Sequence, residues 1–407
     1  MTDLEYKKNI ADIVYICSCA VNETKLDQEC IEAIDLDHLF EASQKHMLAS
    51  MVGLVLRSNG ISTSSFKDAI ALAQRKTVIL NNELQGVISA LEAEGIWYMP
   101  LKGSALKSHY PRFAMREMAD CDILFDATRA EDVKCIMENL EFQVKRYGEF
   151  NDDDYFKPPV SSFEMHRALF GDTHDKNLYE YYKDVKDRLL KDEDNNYGYH
   201  FSSEDFYVFM IAHEYKHYST GGTGLRSLLD TYVYLHTIDL DIDYVAAEME
   251  KLGITDFEQK NRELSLALFN GELLTEEQEK MLNYIVASGT YGTLEHGVEN
   301  KVAKTSKLQY FTRRVFGPLG KDDPYKEQFR KRYAIFFNHP IMLPALPFYR
   351  FFKALKTNPK RIRAEANALR KSGKANGARQ DLLGRKTSWM ASFDANTPVS
   401  TVNADRR

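Results

Sequence analysis

At 407 residues, with 44% hydrophobic and 28% charged side chains, the chain has the composition of a globular protein able to bury a sizeable core. Its formal net charge of −7 argues against a general nucleic-acid binder, and no apolar run is long enough to span a bilayer. Cys17, Cys19, Cys30, Cys121 and Cys135 form neither a CxxC pair nor a disulfide ladder, and the first twenty residues do not read as a secretory leader, so a cytoplasmic setting is expected.

Residues 5–95 read as helical. Ile10, Ile13, Val14 and Cys17 recur at helical spacing, as do Leu39, Phe40, Ala42 and Ser43 ahead of His46. A lone histidine on a helical face is usually a satisfied structural residue, and His46 is read that way. Gly60 and the run Ser62-Thr63-Ser64-Ser65 break the pattern; a long helix is then expected from about Phe66 to Glu94, closed by Gly95. The module 1–95 is assigned to packing around the segment that follows.

Trp97 to Leu101 is a short apolar run ended by Lys102-Gly103-Ser104, the pattern of a buried strand and a turn. A helix from Ala105 is limited by Pro111. Glycine lets a backbone approach a phosphate, and Ser104 offers a hydroxyl and an amide, so this turn suits an anion. Lys102 or Arg116 would neutralise charge nearby. In Asp120-Cys121-Asp122 the side chains two apart on a strand share a face. Two carboxylates facing one way repel unless a cation lies between them, and hard oxygen ligands suit Mg²⁺ or Mn²⁺ shared with substrate phosphates. Taken alone, so short a pair reads better as a solvated strand edge. Ser162 to His166 alternates as a further strand that puts Glu164 on the face opposite Phe163 and Met165, and a third carboxylate on a neighbouring strand would complete a two-metal site.

The succession LKGSALKSHYP, REMADCDILF and FEMHRAL resembles the nucleotidyltransferase superfamily that includes kanamycin nucleotidyltransferase and DNA polymerase beta. It looks most like the bacterial branch described simply as nucleotidyltransferase family proteins. The resemblance implies an α/β (α+β) fold, a small mixed-sheet core flanked by N- and C-terminal helical modules. It also implies that Gly103 and Ser104 bind phosphate, and that Asp120, Asp122 and Glu164 are the metal ligands. Two departures stand out: a longer gap between the Gly-Ser turn and the aspartates, and Glu164 where aspartate is common.

Beyond the core, Asn177 to Asp194 reads as a charged helix and a polar loop, and Ser202 with Asp205 as a helix cap. The next helix carries His213-Glu214-Tyr215-Lys216-His217, a match to H-E-x-x-H, with Asp230 as a conceivable third zinc ligand. Thr220 stands where one class of zinc protease has glycine. The competing reading has His213, His217, Arg226 and Asp230 lining the nucleotide cleft, with Arg226 on phosphate or base, or forming a buried polar network. Residues 240–287 read as helical, and 290–302 as a loop. From Phe351 onward there are thirteen basic and four acidic side chains, behind the aromatic stretch FNHPIMLPALPFYRFF. The favoured reading is a helix over about 359–372 and a disordered tail over 373–407; contact with an anionic membrane surface is the second.

The expected organisation is therefore 1–95 helical, 96–175 catalytic, 176–290 helical on the cleft, 291–372 aromatic and basic, and 373–407 tail. The expected reaction moves a nucleoside monophosphate from an NTP to a hydroxyl acceptor and releases pyrophosphate. A nucleotide-binding protein without turnover (including one half of a regulatory pair), a zinc hydrolase and a DxD glycosyltransferase are the alternatives. No sequence-specific nucleic acid is expected as partner, and neither acceptor nor oligomeric state is legible.

Overall fold

The computed structural model describes residues 3–369 except 172–175, 291, 294, 295, 299, 301–306, 319–325, 358, 360, 361, 364 and 368. The tail expected over 373–407 lies outside the described residues, as do parts of 290–302 and of the helix expected over 359–372.

Five helices come first: α1 (Asp3–Val21), α2 (Gln28–Glu32), α3 (Leu36–Lys45), α4 (Ala49–Ser58) and α5 (Ser64–Ala93). Short polar side chains start three of them: Asp27, Asp35 and Thr63 each accept a backbone N–H of the first turn. Gly95, with φ +66°, ends α5 by turning left-handed while the Ile96 amide reaches back to the Leu91 carbonyl.

β1 (Tyr98–Pro100) follows, then a short helix α6 (Gly103–Leu106), β2 (Cys121–Phe125), α7 (Ala130–Asn139), β3 (Gln143–Arg146), β4 (Asp152–Lys157) and β5 (Ser161–His166). They make one mixed sheet in the order β1-β2-β5-β4-β3, in which β2 and β5 are parallel and the other pairs antiparallel. Every residue of β2 is buried, because the sheet is covered on both sides. Ile123 and Phe125 join Phe163 and Met165 in a core with Leu84, Val87 and Leu91 of α5 and Val133 and Met137 of α7. Leu124, on the opposite face, belongs to the larger core of the helical body. The period of two thus sends Asp122 to the side that meets helices.

Those helices are α8 (Lys176–Tyr182), α9 (Ser203–Thr220), α10 (Leu225–Thr237), α11 (Ile242–Leu252), α12 (Thr255–Asn270) and α13 (Glu276–Ser288), with a two-stranded ribbon, β6 (Leu190–Lys191) and β7 (Tyr199–His200), before α9. Ser202 caps α9 by accepting the Asp205 amide. The helices on either side of the sheet in sequence share one core, since α1 packs on α12 as well as on α3 and α4. His46 ties them further. Its Nδ1 accepts the Leu225 amide at the start of α10 at 3.2 Å, so the proton sits on Nε2, 3.0 Å from the Tyr6 hydroxyl. Burial, with Lys45 adjacent, pushes its pKa down to about 3. The structural reading of His46 is correct.

The chain ends, among the described residues, in α14 (Lys307–Phe316), α15 (Lys326–Arg332), α16 (Ala334–Asn338), a 3-10 stretch over Pro340–Ala345 and α17 (Leu346–Thr357). No helix among the described residues is long and apolar enough to cross a membrane.

Candidate active site

Parallel pairing of β2 with β5 sets Asp122 directly opposite Glu164. On β5 the residue two beyond Glu164 is His166, which therefore shares its face. One donor atom each from Asp122, Glu164 and His166 all lie within 4.8 Å of one another, the cluster of metal-ligating groups found among the described residues. His166 Nε2 stands 2.9 Å from Asp122 Oδ1 and 3.6 Å from Glu164 Oε2. Asp120 precedes the strand and is not one of the three. Its carboxyl is nonetheless pushed up to about 6, by burial first and then by the charges of Asp122 and Glu164.

His166 is absent from the sequence-derived set, although the alternation that selected Glu164 also selects it. It behaves as a clamp on Asp122. Burial works against its charged form, but hydrogen bonds to Asp122 and Glu164 prevail and raise its pKa above the ordinary value. Its Nδ1 is buried with no hydrogen-bond partner among the described residues.

Lys102 closes the cluster from above. Its ammonium is 2.7 Å from Asp122 Oδ1, and the backbone at Lys102 has φ +46°, the left-handed region that a non-glycine residue rarely adopts. Burial alone would raise the Asp122 pKa; Lys102 and His166 overcome it and hold the carboxylate well below its usual range. The site thus already keeps a cation against carboxylate oxygen, and its two paired carboxylates are the hard donors that divalent ions select.

Gly103 and Ser104 begin α6, as expected, but the Ser104 amide is not exposed: it donates to the Leu101 carbonyl at 3.2 Å. What Ser104 retains is a buried hydroxyl without a hydrogen-bond partner among the described residues. Gly103 is required by close approach. A Cβ there would lie 2.5 Å from Arg116 Nη1 and 2.8 Å from Met118 Sδ. Gly103→Ala is expected to displace the turn, lowering stability by about 1–3 kcal/mol and weakening NTP binding at least tenfold; chemical denaturation and nucleotide titration check the two effects separately.

Arg116 does not stand free beside a triphosphate, as the sequence reading had it. It is buried in a two-pronged pair with Asp230 of α10: Nε to Oδ1 and Nη2 to Oδ2, both 2.8 Å. The Tyr110 hydroxyl donates to Oδ1 at 2.6 Å. Asp230 is thereby occupied and is no zinc ligand. Arg226 donates through Nη1 to the Glu117 carbonyl at 3.0 Å, Lys76 donates to the Ala119 carbonyl at 2.7 Å, and the Ser50 amide donates to the Glu117 carboxylate at 2.9 Å. Three helices thus hold the loop that delivers Asp120 and Asp122.

The helix α9 carries the H-E-x-x-H match. The helical spacing brings His213 Nε2 and His217 Nε2 to 3.1 Å. His213 is held well below its usual pKa, by burial first and next by the Lys102 charge, and Lys216 is lowered by the same two causes in the same order. Lys216, on which the charges of Glu164 and Asp122 also act, is a further residue missing from the sequence-derived set. Glu214 points the other way, into the core, where it accepts from Asn261 at 3.2 Å. Burial raises its pKa from 4.5 to about 7. The zinc-hydrolase reading loses its base, and among the described residues no third ligand joins the two histidines.

The Glu214 shift has a testable sign. A raised pKa means the fold favours the neutral acid: the penalty is absent below about pH 4.5, grows between about 4.5 and 7, and is constant above. Glu214→Gln should therefore stabilise the protein by about 2–3 kcal/mol at pH 8 and scarcely at all at pH 4. Thermal melts of both proteins at the two pH values check it.

A family model described as an uncharacterised nucleotidyltransferase matches residues 32–270. The chain belongs to that family. The match runs from within α2 to the end of α12 and includes the whole carboxylate cluster, the Lys102 turn, α9 and the Arg116–Asp230 pair. It stops short of α13 and of everything after it. Comparison with curated proteins and with solved structures finds no match. Membership of this family favours nucleotidyl transfer over the glycosyltransferase reading of the two aspartates.

Proposed function

We propose that the protein transfers a nucleoside monophosphate from an NTP to a hydroxyl acceptor at this cluster. The observation that carries the reading is the in-register pairing of Asp122 with Glu164 on parallel strands, with the Lys102 ammonium 2.7 Å from Asp122 Oδ1. Asp122, Glu164 and Asp120 would hold Mg²⁺ or Mn²⁺, with His166 orienting Asp122. Bound there, a divalent ion supplies charge neutralisation for the triphosphate and makes an acceptor hydroxyl more acidic.

The chain's own groups account for the rest. Lys102 and the Ser104 hydroxyl meet the phosphates at the turn, and Lys216 and His213 approach from α9. Glu164, whose side chain is 34% exposed and the more open of the paired carboxylates, takes the acceptor's proton as its oxygen bonds to the α-phosphorus and the bond to pyrophosphate breaks. Arg116, Arg226 and Asp230 serve as positioning residues for the loop, which revises their expected part in binding nucleotide. The division into modules at 95, 175 and 290 is retained as part of this proposal.

The test is pyrophosphate release from each of the four NTPs with Mg²⁺ or Mn²⁺, a cell extract supplying acceptors. Extract-dependent release that persists in His217→Ala and vanishes in Glu164→Gln supports the reading. Metal-dependent NTP binding without release under any condition would favour a binding protein on the same fold. An absence of both would sink it.

A further inference from the structure

The last described elements carry an apolar face that stays exposed among the described residues. Their inward side is complete: Phe336 and Leu346 are buried, and Arg350 lies over the Phe329 ring at 4.8 Å while donating to the Val315 carbonyl at 2.8 Å. Phe336 packs on Tyr349 at 5.1 Å between ring centroids. Having filled that small core, α17 keeps Phe348, Phe351, Phe352 and Leu355 on its outside. Their spacing, i, i+3, i+4 and i+7, is one stripe of a helix. Phe348, Phe351 and Phe352 are 67%, 55% and 64% exposed, and Ile341, on the 3-10 stretch just before α17, is 96% exposed. Contiguous large apolar side chains left in water in this way mark a docking surface.

Charge indicates what docks. From Lys326 to Thr357 there are seven lysines and arginines against one acidic residue, Glu327, in a chain whose net charge is −7. Lys353 and Lys356 lie on α17 itself and are exposed. A short helix with an aromatic stripe, flanked by lysine and arginine and too short to cross a bilayer, is the form that lies in the interface of an anionic membrane. Its rings enter the acyl boundary, and its long cationic side chains reach the headgroups. A nucleic-acid groove would present cations along the binding face, whereas this stripe presents rings and aliphatic carbon with the cations at its edge. The segment also lies outside the residues that the nucleotidyltransferase family model matches, so the transferase core does not account for it.

We infer that the exposed stripe of α17, with Ile341, docks the protein reversibly on an anionic lipid surface. The inference is independent of the transferase reading.

The experiment is vesicle flotation of the full-length protein with phosphatidylcholine alone and with phosphatidylcholine plus phosphatidylglycerol. Wild type should float with the anionic vesicles and not with the neutral ones, and should be released progressively by salt. Phe348→Ser/Phe351→Ser/Phe352→Ser should reduce partitioning at least about tenfold. Lys353→Gln/Lys356→Gln should reduce it about threefold or more. Both variants are taken forward only with an unchanged circular dichroism spectrum, and should the triple variant misfold, Ile341→Ser/Phe348→Ser replaces it. Wild type failing to float, or the apolar variants floating like wild type, would overturn the inference. So would a stripe-dependent dimer or stripe-dependent binding of single-stranded RNA in place of vesicle binding.

Discussion

Replacing Asp122 with asparagine is expected to lower nucleotidyl transfer by about three orders of magnitude or more while leaving the protein folded. The amide keeps an oxygen for Lys102, 2.7 Å away, and for the His166 Nε2 proton, 2.9 Å away. It removes the charge that both of those groups meet and that, in the proposed function, a divalent ion would meet. Asp122→Ala should add a stability loss of about 2 kcal/mol, because it leaves two cationic groups without their shared acceptor. Calorimetric titration with Mn²⁺ is the companion measurement, since it reads the site without turnover: binding should be lost in Asp122→Asn and retained in His217→Ala. Full pyrophosphate release from Asp122→Asn would end the claim that this cluster is the catalytic centre.

Much of this site is legible in the sequence because it depends on short-range periodicity. Residues two apart on a strand share a face, so Glu164 could be assigned to the face opposite Phe163 and Met165 before any pairing was known, and the parallel pairing then sets Asp122 beside it. His166 obeys the same rule. It is missed only when the pattern is read for carboxylates alone. The mixed α/β core and the long helix ending at Gly95 follow equally from local signals. Orientation of a helix in three dimensions does not. The spacing in His213-Glu214-Tyr215-Lys216-His217 fixes which side chains are neighbours, but not which side meets the core; burial of Glu214 against Asn261 decides that, and it leaves His217 exposed and His213 and Lys216 half-buried. Arg116 was similarly ambiguous. An arginine near a Gly-Ser turn suggests phosphate, and nothing local announces a partner more than a hundred residues away.

That partner gives the second large expected effect. Asp230→Ala should destabilise the protein by about 3–5 kcal/mol, because it strands a buried guanidinium that the pair had satisfied through two hydrogen bonds of 2.8 Å. The midpoint of thermal unfolding should fall by on the order of 10 °C. Tyr110 loses its acceptor in the same step. A stability loss under about 1 kcal/mol would show that the pair is not the anchor described. Arg116→Met/Asp230→Leu separates packing from positioning. Apolar side chains of similar volume often replace a buried ion pair at little cost, so the double variant should regain most of the lost stability. It should not regain catalysis. The space for a Cβ on Gly103 is closed by Arg116 Nη1 and Met118 Sδ, so the guanidinium is the floor on which the Lys102-Gly103-Ser104 turn rests. A stable double variant with weakened NTP binding would place the role of Arg116 in holding that turn, whereas one with wild-type KM and kcat would reduce the pair to structural packing alone.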